Sequence, residues 1–493
     1  MRFILMLLLH FICIITACAQ RTDSLHIEIG SMATLASQEY QPLWLVANRW
    51  GTIADWKGDA STHLRLSNYH RWGSRDSISS SKTRKTFDHH KKKARALYLT
   101  YGLDLYNNQH FDDFFLEEAY LKIGYGPWEL RGGRYEEVIG EGDPELSSGS
   151  LSLSSNALPI PKIGIAVTEY TDVPFTQGWL QFKGQFSHGW MGSNRVVSHT
   201  YLHQKDLYLK LGKEQLSIYT GLTHFALWGG EHPRLGTLPQ SFTDYIRVAL
   251  IIKGGEDAPI TEAMNKLGNH LGMTDIGLRF RWKAWHGTLY YQTPYEDRSG
   301  FLPSRNPDHL AGISIRKKHG LLNAITLEYM DTRKQSGSVH PPGLDNYYNN
   351  GLYGTGWVYQ GNTLGTPLFL TRSRGQQYFG EEVSSSSWNV INNRIHGFHM
   401  GVSGNFTAHL QYRTLLTYTQ NYGNYYNDAL FQPYKKQVYF LQELVYTQDR
   451  WTLSAALGVD RGSLTDNTGG ALGISYDLSD ALKKNKHNSF TRE

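Results

Sequence analysis

The side chains in this sequence best suited to chemistry are aromatic rings and amides crowded into one stretch. Tyr347, Tyr348, Asn349, Asn350, Tyr353, Trp357 and Tyr359 fall within a single run. A sugar-binding surface needs flat aromatic faces for the C–H side of the ring and planar polar groups for its hydroxyls. This run supplies both, so these residues are the first candidates for polysaccharide contact. The competing reading is that they pack their loop into the rest of the fold, because an aromatic ring combines a large burial payload with a polar handle. His224 and Trp228 are added to the glycan-binding candidates. They stand before Gly229-Gly230, with Glu231 and His232 beyond, and a metal site there would require His224 and His232 to converge. His199 and His203 have a spacing that suits zinc on a helix, but a strand holds them apart. Glu296-Asp297 has the composition of a glycosidase acid pair. Adjacent residues on an extended chain point to opposite sides, whereas that chemistry needs both carboxylates facing one bond, and Arg298 beside them suggests a salt bridge. No Walker loop, G-x-S-x-G or HExxH is present. The expectation is a protein that is not an enzyme and carries no cofactor or metal.

The elements that must position these residues are strands. In Ala96–Leu105, Leu97, Leu99, Tyr101, Leu103 and Leu105 alternate with Tyr98, Thr100, Gly102 and Asp104. Leu207, Leu209 and Leu211 alternate with polar neighbours, and Leu453 to Val459 and Leu472 to Leu478 do the same. This is period 2, not 3.6. In Ile276–Lys283 the apolar face of Ile276, Leu278, Phe280 and Trp282 is backed by Arg279, Arg281 and Lys283. These charges cannot face lipid or a dry core, but they can face a wet lumen. The strands run to about nine to twelve residues, the length of a tilted membrane crossing. Aromatics such as Tyr290, Tyr291, Trp282 and Trp451 sit near strand ends, as in a membrane girdle. The fold expected is all-β: a transmembrane antiparallel β-barrel of about 16–18 strands, with long extracellular loops.

Composition agrees. The chain has 493 residues, 31 Tyr, 13 Trp and 49 Gly, and 40% hydrophobic content, with a mean hydropathy of −0.45. A helical membrane protein would be far more apolar, whereas a barrel needs grease on one face only. The net charge of +5 is mild. It does not point to nucleic acid, and it suits an acidic glycan or anionic lipid. Arg2, the apolar run Phe3–Ile15 and Ala17-Cys18-Ala19 read as an export leader covering residues 1–19. The alternative is a lipoprotein site at Cys18. Both cysteines, Cys13 and Cys18, lie in this leader. Residues 20–482 are then the barrel and 483–493 a polar tail. The longest connection, Asp331 to Asn393, is expected outside the cell or folded into the mouth. Lys82–Arg95 reads as a solvated basic loop and Thr261–Leu267 as a short helix.

Several blocks in order resemble the Wzi-type capsule assembly family, in its Bacteroidetes branch. They are YQPLWLVANRWG (Tyr40–Gly51), LSLSSNALPIPKIG (Leu151–Gly164), SHTYLHQKDLYLKLG (Ser198–Gly212), GLTHFALWGG (Gly221–Gly230), GNHLGMTDIGL (Gly268–Leu278) and YEDRSG (Tyr295–Gly300). DNYYNNGLYGTGWVYQGNTLGTPLF (Asp345–Phe369), NNRIHGFHMGVSG (Asn392–Gly404) and QNYGNYY (Gln420–Tyr426) complete the set. The resemblance implies an outer-membrane barrel that attaches or organises capsular polysaccharide at the cell surface without catalysis. The partners expected are therefore capsular or other surface polysaccharide and outer-membrane lipid, not nucleic acid. The competing reading of the same alternation is a porin for small solutes, and a loop folded into the lumen would count against it.

Overall fold

The computed structural model describes residues 25–72, 96–255, 259, 266–296, 306–335, 345–383, 388–426 and 429–479. The leader, the basic segment 82–95, most of 261–267 and the tail 483–493 lie outside the described residues. The alternating segments close into one antiparallel sheet of 18 strands, the upper bound of the expected number. The first strand, His26–Ala36, pairs with Gly58–Trp72 on one side and with the last strand, Asn467–Asp477, on the other. Closure leaves no strand edge unpaired.

The two ends of the barrel differ. At one end, two-residue turns join Tyr125 to Trp128, Trp282 to Trp285 and Gln448 to Trp451. Each contains a residue of positive φ (Gly126 at 58°, Lys283 at 53°, Asp449 at 54°), which the right-handed twist of tight hairpins demands. Both chain termini of the barrel lie at this end. The opposite end carries the connections 37–57, 135–160, 229–268 and 332–394, while one further long link, from Trp72 to Leu97, begins and ends at the short-turn end.

The outward face is apolar along the strands. Leu207, Leu209, Leu211, Leu216, Ile218, Ile276, Leu278, Leu453, Leu457, Leu472 and Ile474 are all exposed. At the short-turn end Trp128, Trp179, Trp282 and Trp451 are 50–64% exposed. The ammonium groups of Lys213 and Lys283 lie 5.3 and 5.1 Å from the rings of Trp179 and Trp282. Such a belt marks a membrane–water boundary. Three expectations are refined here. Arg279 faces the lumen as expected, but Arg281 is at the rim, paired with Glu214 of a short turn. Lys283 is not on the lumen face at all, because the strand ends at Trp282 and Lys283 enters the turn. Tyr290 is not a girdle residue: its neighbour Tyr291 faces outward, and Tyr290 is buried inside, donating to Glu328 Oε1 at 2.6 Å. Period 2 fixes opposite faces for neighbours, so only one of an adjacent pair can join the belt.

Candidate functional site

The hydrophobic core of this barrel lies inside its lumen, where connections from the long-loop end fold inward and fill it. The segment 135–160 runs deep. It is rich in serine, and its hydroxyls satisfy its own irregular backbone: Ser147 Oγ accepts from Gly149 N at 3.1 Å, Ser150 Oγ from Ser152 N at 3.3 Å and Ser154 Oγ from Asn156 N at 3.2 Å. Non-helical backbone at membrane depth is tolerated only when protein satisfies it.

Acids along this segment meet cations of the wall one after another. Glu137 bridges Arg131 (2.7 Å) and Lys162 (2.6 Å). Glu141 bridges Lys183 (2.5 Å) and Arg279 (3.1 Å). Asp143 and Glu145 share Arg316 at 2.7 and 3.0 Å. Arg316 ends its strand at the short-turn rim, so the tip of the plug spans the lumen almost to the far side. Burial works against the carboxylates of Glu137 and Glu141. Lys162 and Arg131 outweigh it for the first, Lys183 and Arg279 for the second, and both pKa values are held below their ordinary value. The wall also supplies an acid. Glu328 accepts from Ser147 Oγ (2.6 Å), Ser148 N (2.7 Å), Ser148 Oγ (2.6 Å) and Tyr290 OH. His399 contacts the Leu146 carbonyl through Nε2 at 2.7 Å. Gly401 is required beside it, because a Cβ there would lie 2.4 Å from the Leu146 oxygen.

The connection 332–394 packs on this segment, and most of the expected glycan-binding residues are found at that seam. Tyr347, Tyr348, Tyr353, Trp357 and Tyr359 are 1–4% exposed. Trp357 Nε1 donates to Ser152 O at 2.6 Å, and Tyr348 OH donates to Leu151 O at 2.7 Å. Tyr347 OH donates to Asp308 Oδ2 at 3.0 Å, and Tyr359 OH accepts from Arg134 at 3.3 Å. Asn349 pairs with both backbone groups of Val390, at 2.8 and 2.9 Å. Asn350 holds the turn at Leu352 and Tyr353 and reaches Asn269 at 3.1 Å. Gly365 makes room for Tyr348, whose hydroxyl would lie 1.8 Å from a Cβ there. Of the two readings of these aromatics, the packing one describes their geometry: they join the two connections into one plug. Glu296 also braces it, accepting from Tyr348 N at 3.0 Å, while Asp297 and Arg298 lie outside the described residues.

His224 and Trp228 do not join that group. They are on the outward face of their strand, beneath a helix at Phe242–Leu250. His224 Nε2 lies 2.8 Å from His270 Nδ1, not near His232. His232 ends the short strand Glu231–His232, and its Nδ1 accepts from Arg234 N and Leu235 N at 3.1 Å in the turn that follows. Among the described residues, the metal-like grouping is Asp104, Glu117 and Glu118, of which Asp104 already pairs with Arg65.

What the plug leaves open is its outer surface. Trp56 (46% exposed) lies 6.4 Å from His110, and Tyr426 (55% exposed) lies 5.3 Å from Trp388. A helix at Arg372–Phe379 joins the two groups: Arg374 donates to Asp55 Oδ2 at 2.8 Å and Gln41 O at 2.7 Å, and Arg372 donates to Trp388 O at 3.1 Å. Rings and exposed amides such as Gln376 and Gln377 thus share one rim. These residues come from four connections, 37–57, 109–112, 332–394 and 422–434, and only the closed barrel assembles them.

The family model of capsule assembly protein Wzi matches residues 57–378, about two thirds of the chain. Among solved structures, Wzi of Escherichia coli, an outer-membrane protein involved in group 1 capsule assembly and described as a carbohydrate-binding β-barrel, is similar with a TM-score of 0.58 at 17% identity. The match covers 93% of this chain and 85% of that one. OccK5 of Pseudomonas aeruginosa matches with a TM-score of 0.45 at 11% identity, over 92% of this chain and 97% of that one. OccAB4 of Acinetobacter baumannii matches with a TM-score of 0.45 at 8% identity, over 93% and 99%. No curated protein matches by sequence.

Proposed function

Because the chain belongs to the Wzi capsule assembly family, we propose that it is a non-conducting outer-membrane barrel that holds capsular or other surface polysaccharide at its long-loop mouth. The reading is non-catalytic. The observation that carries it is the filled lumen. Residues 135–160 and 332–394 are locked to each other and to the wall by buried hydrogen bonds and ion pairs. A diffusion channel has no use for such a plug, whereas a binding surface needs a rigid floor. The contact residues proposed are the rim rings Trp56, Trp388 and Tyr426. Tyr347, Tyr348, Tyr353, Trp357 and Tyr359 act through the plug they hold together, not by stacking on sugar themselves. His224 and Trp228, on the outer wall, are given no part in it.

The test compares cell-bound with shed polysaccharide in a deletion strain carrying variants. Trp388→Ala with Tyr426→Ala should leave the barrel in the membrane and release polysaccharide into the medium. Trp357→Ala should do so too, but with a loosened plug. If the rim variants retain polysaccharide as well as the parent while the deletion strain sheds it, binding lies elsewhere. A deletion that alters only solute uptake hands the function to the channel reading.

A further inference from the structure

The outward face of the wall is not uniformly apolar. Leu207, Leu209 and Leu211 face lipid, but the same face of that strand continues through Lys205 and His203. On the neighbouring strand Leu216, Ile218 and Leu222 give way to His224 and then Trp228. His188 and His270, on the flanking strands, complete this polar patch. From Leu216 to Leu222 the strand rises roughly 20 Å, and its tilt of about 40° leaves roughly 15 Å along the membrane normal. An outer-membrane barrel needs an apolar band of about 25 Å. The patch therefore occupies the height at which the band should continue.

The helix Phe242–Leu250 lies over that patch. It starts at a reciprocal cap, with Asp244 N donating to Ser241 Oγ at 3.2 Å and Ser241 N to Asp244 Oδ2 at 3.0 Å. It ends at Ile251 in the left-handed region, and the chain beyond is held by Leu267 N donating to Ile252 O at 3.1 Å. Its inner side buries Val248 against Ala226 and Trp228, and Tyr245 packs on His188 and His203 with ring centroids 5.6 Å apart in each case. Lys205 Nζ donates to the carbonyl of Ala249. The outer side presents Phe242, Ile246 and Leu250 at 77, 40 and 63% exposure. Their i, i+4, i+8 spacing makes one stripe.

We propose that this helix is inserted among the acyl chains of the membrane leaflet at the long-loop end, where its apolar stripe replaces the missing part of the lipid-facing band and shields the lysine and histidines beneath. The occupant is hydrocarbon, because the stripe continues an outward face that is apolar on the same strands. A lysine left bare on that face would carry the cost of a charge in lipid.

The experiment uses the processed full-length protein folded into bilayers. The native cysteines, Cys13 and Cys18, both fall in the expected leader; processing removes them or leaves Cys18 with its thiol lipidated, and in either case an introduced thiol is labelled selectively with a nitroxide. Ile246→Cys and Leu250→Cys should show high accessibility to oxygen and loss of accessibility to a water-soluble nickel chelate, to the level of Leu222→Cys. Gln376→Cys at the mouth is the water-exposed reference. Nickel accessibility like that of Gln376→Cys overturns the proposal. Protection from both reagents overturns it in favour of a protein cover, such as a second copy. A Leu222 label that is itself open to nickel overturns both the band and the proposal.

Discussion

At the scale of single residues, the ion pairs between plug and wall set position more than they add stability. Glu137, Arg131 and Lys162 are all buried, with side chains 3–9% exposed. Desolvating such a group costs nearly what the attraction returns, yet removing one partner strands the others and costs roughly 3–5 kcal/mol. Glu137→Ala should therefore loosen the plug by about that amount while the barrel stays folded, read as current openings in planar bilayers where the parent is closed. The pH dependence follows from the same pairs. A carboxylate whose folded pKa is depressed contributes stability that is fully present above its unfolded value, about 4.3 for Glu, and is lost as pH falls through the folded value. Glu137 and Glu141 are both depressed. The plug should thus stay closed from neutral pH down to pH values near ordinary carboxylate titration and open only in stronger acid. Conductance recorded down a pH series checks this, and opening near neutrality would contradict it.

At the scale of elements, register decides which side chains meet lipid. Leu278 is 38% exposed on the outer face, and Arg279 next to it reaches Glu141 inside. An arginine turned toward lipid near the midplane costs roughly 2–4 kcal/mol. Leu278→Arg should block assembly in a heat-modifiability assay, whereas Arg279→Ser should only weaken one contact of the plug. Equal damage from the two would contradict the register. The strands were legible in the sequence because alternation is local: Leu207 to Leu211 and Leu453 to Val459 carry their face assignment within a few residues. The plug was not legible to the same extent. Its length and aromatic content marked the 332–394 connection as folded, but the partners of Tyr348 and Trp357 are Leu151 and Ser152, 197 and 205 residues away. The acids from Glu137 to Glu145 offered a usable signal, since a run of carboxylates facing inward arginines and lysines is a charge match. The helix over the wall, Phe242–Leu250, was not expected from the sequence, although Ser241 and Asp244, a capping pair three apart, offered a signal.

At the scale of the whole molecule, an 18-strand barrel of this diameter would enclose an aqueous channel unless filled. Excising residues 140–156 should convert a closed barrel into a conducting one that still migrates faster on gels before boiling than after. A closed recording from that deletion would show that residues 332–394 alone suffice to seal the lumen. Residues 37–57 also enter the lumen, burying Leu43, Trp44 and Leu45, and the contacts that seat the filling have a consequence in time. Leu43 N donates to Asp460 Oδ2 across 417 positions, Trp44 to Thr417 across 373, and His399 to Leu146 across 253. Contacts so distant along the chain form slowly, because loop closure must precede them. Leu43 cannot find Asp460 until nearly the whole polypeptide has been synthesised and exported. The pair that closes the wall, Glu28 with Asp477, is farther apart still along the chain, so wall and filling are completed together, and the molecule becomes watertight only when its last strand arrives.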